Sequence, residues 1–227
     1  MRIVVSGTHA IGKSTLIGDF AAAHREYEVL PDPFELIDAA ADEPDASTYL
    51  AQLRIAADRL LDLSPGDDVI AERGPLDFLA YLVALDDLGR IDLDADVLSR
   101  ATALTEEAMT HVDLLVLLPI TANDGIRAPE DEDPGFRQAM NDALSDLVDD
   151  AELLGSARVA EITGQPPQRL HRLRVEIGQG DRSERSSKTL ACPMCGDRLS
   201  FEILDDEKFL VAWSCVICGL VRTTEPA

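Results

Sequence analysis

The stretch "SGTHAIGKST", residues 6–15, lies between "MRIVV" (1–5) and "LIGDFAAAH" (16–24). It spells Gly7-x-x-x-x-Gly12-Lys13-Ser14 behind a strand-like apolar run and ahead of a helical pattern, the context that a phosphate-cradling loop requires. Gly7 and Gly12 let backbone N–H groups turn inward on phosphate, and the N-terminus of the following helix adds its positive end. In such a loop the Lys13 ammonium meets the β- and γ-phosphates and the Ser14 hydroxyl coordinates Mg²⁺. Nucleotide contacts are therefore expected along Gly7, Thr8, His9, Ala10, Ile11, Gly12, Lys13, Ser14 and Thr15, with His9 acting as a spacer.

Working outward, strand-like and helix-like segments alternate. "RIVVS" (2–6), "YEVLP" (27–31), "DDVIAE" (67–72), "DLLVLLP" (113–119) and "ARVAEI" (157–162) read as strands. Helical patterns cover 14–24, 47–63, 75–88, about 94–110, about 135–154 and 166–177. Such alternation predicts an α/β domain over residues 1–178, a parallel five-stranded sheet with helices on both faces. Residues 179–189 are polar and aperiodic and read as a linker, followed by a small module over 190–224.

The charge balance is skewed: 43 acidic against 20 basic residues, a net of −23, with lysine only at positions 13, 188 and 208. That field repels a phosphate backbone and argues against nucleic-acid binding. The Asp-rich, Lys-poor, aromatic-poor composition resembles that of proteins from salt-loving archaea, whose carboxylates hold hydration while salt screens their repulsion. The longest apolar run, "LLVLLPI" from 114, is too short to span a bilayer, and no targeting segment is legible. A cytoplasmic protein is expected.

In an open parallel sheet ligands sit at the carboxyl ends of the strands, so the residues there are the informative ones. Asp32-Pro33-Phe34-Glu35 follows the second strand, Glu72-Arg73-Gly74-Pro75 the third, Asn123-Asp124-Gly125-Ile126-Arg127 the fourth, and Thr163-Gly164-Gln165 the fifth. "GTHAIGKST", "ERGPLDFLAYL" and "DLLVLLPITANDGIR", in that order, resemble the small phosphate-loop kinases of nucleosides and nucleotides. Within these, the sequence is similar to the group of AAA-type ATP-binding domains that contains the kinases of nicotinamide riboside.

The resemblance covers residues 1–178 and implies ATP with Mg²⁺, a small-molecule acceptor and a mobile lid after the fourth strand. It implies that Glu72 serves the metal or acceptor side, that Arg73 holds phosphate, and that Asp32 is the base for the acceptor hydroxyl. Glu35 and Glu72 remain rivals for that last role. Arg127 and Arg137 fall in the lid, although "APEDEDPG" after Arg127 is acidic for such a segment. Arg169 and Arg172, on the last helix, read as solvated. No Asn-Lys-x-Asp of a GTPase is present, and no segment is long enough for the helical lid domain of a ring motor. A second reading stays open, in which lid and tail report nucleotide occupancy to a protein partner.

All four cysteines lie in the tail, as Cys192-x-x-Cys195 and Cys215-x-x-Cys218. The paired spacing is that of a four-cysteine structural Zn²⁺ site. "RLSFEILDDEKFLVAWS" between the pairs reads as a hairpin about "DDEK", and the whole looks like a zinc ribbon. A module this small needs such a staple. The ribbon also offers a docking surface for a protein partner.

Overall fold

Val4, Val5 and Ser6 of strand β1 (Arg2–Ser6) are buried because this strand has a neighbour on each side. It pairs in parallel with β3 (Val69–Glu72), Val4 beside Ala71, and with β4 (Leu114–Leu117), Val4 beside Leu115. Strands β2 (Glu28–Leu30) and β5 (Arg158–Glu161) extend the sheet at its two edges, giving the order β2-β3-β1-β4-β5 with every pair parallel. This is the five-stranded parallel sheet that the alternation predicts. The computed structural model describes residues 1–36, 45–121, 133–185, 199–205, 210–215 and 221–223.

The two faces are covered by different helices. Val4, Ala71, Leu115 and Leu117 share one core with α2 (Ala46–Leu61), α3 (Pro75–Asp87), α4 (Ala95–Met109), α5 (Pro134–Leu147) and α6 (Ala151–Leu154). Alternate residues along a strand point to the opposite face, and there α1 (Lys13–Ala23) buries Leu16, Ile17 and Phe20 against β1 and β3. The chain leaves β1 for α1 on one face and leaves β3 for α3 on the other. A crevice opens between those two strand ends, where such sheets hold their ligands.

Helix starts are written in aspartate and proline. Asp45, Asp94, Asp133 and Asp150 each cap a helix by accepting backbone N–H groups of its first turn, satisfying donors that the helix leaves unpaired. Pro75 and Pro134 open α3 and α5, where a missing N–H costs nothing. The Asp150 cap divides the predicted helix over 135–154 into α5 and α6, because its carboxylate takes the N–H groups of Glu152 and Leu153. Helix α3 is buried almost all round and forms the centre of its layer.

The last helix, α7 (Pro166–Arg185), runs through residues 179–185, which the sequence assigns to a linker. Polar, aperiodic text carries no amphipathic signal, yet nothing in "QGDRSER" blocks helical geometry as proline would. The chain divides into two units, Met1–Glu176 and Ile177–Ala227. In the second, β6 (Leu199–Asp205) and β7 (Leu210–Cys215) form the expected antiparallel hairpin, and β8 (Val221–Thr223), which the sequence did not reveal, adds a third strand. No described helix is long and apolar enough to cross a membrane.

Phe78 is fully buried in the first turn of α3. Phe78→Ala should destabilise the domain by about 3–5 kcal/mol, read as a lower denaturant midpoint at unchanged slope; a loss below about 1 kcal/mol would contradict the packing described.

Candidate functional site

The loop after β1 folds as its glycines demand. Gly7 has φ 151° and a Cβ there would stand 2.7 Å from the Leu118 carbonyl oxygen. Gly12, at φ 93°, turns the chain into α1. Ala10 shares the left-handed region at φ 51° without the freedom of glycine, a local strain of the kind found where backbone is shaped for a ligand. Beneath the loop, Arg169 of α7 donates to the Ile11 carbonyl at 2.6 Å and to the Gly164 carbonyl at 2.7 Å, and it is 2% exposed. The expectation that Arg169 is solvated is therefore corrected: it fastens the underside of the loop. Arg172 is exposed and donates to Thr163.

Lys13 is buried, and its ammonium donates to the carbonyls of Gly7 at 3.1 Å and Thr8 at 2.8 Å. Burial, together with the nearby Arg73 guanidinium, pushes its pKa down from the ordinary 10.5 to about 7. Ser14 Oγ donates to Glu72 Oε1 at 2.8 Å, so the loop hydroxyl and the carboxylate ending β3 meet. A hydroxyl and a carboxylate in contact are hard oxygen ligands that fit Mg²⁺ beside a phosphate chain. Thr8 Oγ1 is buried without a partner among the described residues, a polar atom ready for a phosphate oxygen.

Arg73 is the second buried cation. It adopts φ 63°, unusual for a side chain of its size, and its guanidinium donates to Asp32 Oδ2 at 2.7 Å and to the Gly7 carbonyl at 3.2 Å. The charge lies 5.7 Å from the Phe34 ring centre and 5.3 Å from that of Tyr81. Burial opposes its charge, but Tyr81, Asp32 and Asp77 more than offset this and hold its pKa above the ordinary arginine value. Asp32 Oδ1 also accepts from the Phe34 N–H at 3.1 Å, so the carboxylate is fixed at both oxygens.

These groups face one cavity of about 670 Å³, lined both by the loop residues Thr8 to Ser14 and by Phe34, Tyr49, Tyr81, Phe136 and Met140. Tyr49 and Tyr81 stack at 4.7 Å between ring centres, and Phe136 lies 5.7 Å from Tyr81. Glu72, Arg73 and Asp32 are in the same lining, and Arg73 reaches both the Gly7 carbonyl and the rings of Phe34 and Tyr81. Arg137 also lines the cavity and donates from Nε to the His9 carbonyl at 3.3 Å. Of the remaining sequence-predicted residues, Gly7 anchors the loop, while Thr15 is exposed on α1 and is not part of the lining. Arg127, Cys192, Cys195 and Cys218 lie outside the described residues, as does the side chain of Glu35; Cys215 closes β7.

No protein-family model and no curated protein sequence matches the chain. Solved structures do. A deoxyadenosine kinase from M. mycoides, solved with dCMP and dCDP, superposes with a TM-score of 0.58 over 79% of this chain and 99% of its own, at 13% identity. The thymidylate kinase of Candida albicans superposes with a TM-score of 0.55 over 79% of this chain and 91% of its own, at 15% identity. The fold is that of the phosphate-loop nucleoside and nucleotide kinases. At such identity the likeness concerns the fold, and the chemistry has to be argued from the residues.

Sequence reading missed Asp77, Gln52 and the aromatic wall. Asp77 is fully buried and accepts from Ser6 Oγ, Gly7 N and Gly74 N. Gln52 is also fully buried, and neither end of its amide has a partner among the described residues. The scarcity of aromatics was a usable signal: of six Phe and three Tyr in the chain, four line this one cavity.

The depressed Lys13 pKa has a measurable sign. The folded chain favours the neutral amine, so between pH 7 and 10.5 the unfolded chain binds more protons and this group's contribution to stability rises with pH. The unfolding free energy of wild type minus that of Lys13→Met should therefore increase from pH 7 to about pH 9 in denaturant melts without nucleotide. A flat or falling difference would contradict a buried, desolvated ammonium.

Proposed function

We propose that the chain is an ATP-dependent kinase that phosphorylates a hydroxyl of an uncharged, nucleoside-like acceptor. One observation carries the reading: the phosphate loop and an aromatic wall line the same cavity, together with a fixed carboxylate–arginine pair. Flat rings in that wall suit a planar base, which gains from stacking. An acceptor phosphate would need a cation to spare. Arg73 is already neutralised by Asp32 at 2.7 Å, with Asp77 at 3.8 Å, which favours a nucleoside over a nucleotide.

In this mechanism Lys13 leaves the loop carbonyls for the phosphate chain. Ser14 and Glu72, in contact at 2.8 Å, are the residues that would hold Mg²⁺, which would supply charge screening of the phosphate oxygens. Asp32, oriented by Arg73 and the Phe34 N–H, accepts the proton of the acceptor hydroxyl. The new bond forms between that oxygen and the γ-phosphorus as the bond from the γ-phosphorus to the β,γ-bridging oxygen breaks, leaving ADP. Little covalent work falls to the protein, and positioning plus charge neutralisation supply the rate. Arg137, on α5, lines the cavity beside the phosphate loop and is a candidate phosphate contact; Arg127 is kept as a second candidate.

For the tail we propose a Zn²⁺ held by Cys192, Cys195, Cys215 and Cys218. The paired Cys-x-x-Cys spacing supports it, and Cys215, the one cysteine whose backbone is described, ends β7 opposite Leu199. Among the described residues there is no metal-holding cluster, and the thiols of all four cysteines lie outside them.

The kinase is tested by ATP consumption against nucleosides, nicotinamide riboside and nucleoside monophosphates in high salt. Turnover with a nucleoside should vanish in Lys13→Ala and fall by about 10²–10⁴ in Asp32→Asn, with ATP affinity nearly unchanged in the latter. ATP binding without turnover on any acceptor would replace the kinase by a nucleotide-reporting module. For the tail, elemental analysis should find one Zn²⁺ per chain, released in Cys215→Ser; a metal-free, disulfide-bonded tail would refute the site.

A further inference from the structure

Asp77 has no part in the transfer just described, yet it is a fully buried carboxylate at the start of α3. A buried charge is tolerated only when hydrogen-bonded or paired, and the identity of its partners is informative. One bond, from the Gly74 N–H at 3.0 Å, is an ordinary helix cap. The other two cross to a different element: Ser6 Oγ donates at 2.6 Å and the Gly7 N–H at 2.9 Å. Ser6 ends β1 and Gly7 begins the phosphate loop. A cap alone needs neither.

The other side of Gly7 shows what this accomplishes. Its carbonyl accepts from Lys13 Nζ at 3.1 Å and from Arg73 at 3.2 Å. The peptide groups of one residue are thus gripped by a carboxylate at the N–H and approached by both buried cations at the carbonyl. Arg73 also lies 3.8 Å from Asp77. A glycine at φ 151° has little intrinsic preference for that conformation, so its direction has to be imposed from outside. Asp77 imposes it.

We propose that Asp77 is a positioning residue for the nucleotide: it holds the first residue of the phosphate loop in the orientation in which the loop N–H groups and Lys13 receive phosphate. The inference rests on the nucleotide reading above, and the test separates the two. The probe is Mg·ATP, with affinity measured by calorimetry on the full chain and folding by thermal melt. If wild type binds no Mg·ATP, the nucleotide reading itself falls. If it binds, Asp77→Asn should weaken binding by about 10–100-fold, the span of one or two hydrogen bonds to a charged group. Ser6→Ala, which removes one of these bonds and spares the helix cap, should weaken it by about 3–10-fold. A merely structural Asp77 would lower the melting temperature and leave affinity unchanged in both variants, and that result would overturn the proposal. Should Asp77→Asn fail to fold, Ser6→Ala decides alone, unchanged affinity counting against.

Discussion

Two cations, Lys13 and Arg73, are buried against a single carbonyl, that of Gly7. Like charges in a low-dielectric interior repel strongly, and the arrangement persists only because carboxylates surround it. Asp32 and Asp77 flank Arg73, while Glu72 stands at the Ser14 hydroxyl. Much of the local architecture follows from that need. Arg73 takes a left-handed backbone to reach Gly7, Asp32 is turned inward by the Phe34 N–H, and α3 begins where its third residue can meet the loop. Lys13 bears the residual cost in its lowered pKa. The phosphate chain of the proposed nucleotide would relieve it, since it brings the negative charge the ammonium lacks.

The surface poses the opposite problem. A net charge of −23 raises a field that opposes the approach of any nucleotide, and at low ionic strength the Debye length lets that field extend well past the surface. At about 1 M salt the screening length falls to about 3 Å, and distant carboxylates cease to matter. Buried cations such as Lys13 and Arg73 would act on a ligand at contact distance, inside that length, so an acidic exterior and the proposed phosphate site are compatible in concentrated salt. Aspartate is also put to structural use at four helix starts.

The fold was legible because its signals are local. An apolar run before Gly7-x-x-x-x-Gly12-Lys13-Ser14 and a helical pattern after it define the first strand–loop–helix unit, and four more apolar runs define the sheet. Strand ends also led to Glu72, Arg73 and Asp32, since carboxyl ends of parallel strands converge. What stayed hidden depends on tertiary placement. Asp77 reads as a helix cap until β1 is laid beside it, and Arg169 reads as a solvated arginine until α7 is set beneath the loop. Tyr49, Tyr81 and Phe136 come from three helices, and no spacing within one helix announces that their rings meet. Gln52 is one of several polar letters in α2, distinguished only by complete burial.

The tail poses a different problem, since spacing carries nearly all of the reading of its chemistry. Two Cys-x-x-Cys pairs alone fit a metal, a pair of disulfides or a redox dithiol. Backbone register adds only that β6, β7 and β8 form one antiparallel sheet with Cys215 at the end of β7. Three short strands bury too little apolar surface to be stable unaided, which is why a staple is part of the proposal. A single tetrahedral ion asks for four thiolates around one point, whereas two disulfides would each fix a Cα separation of their own, and elemental analysis tells the two apart.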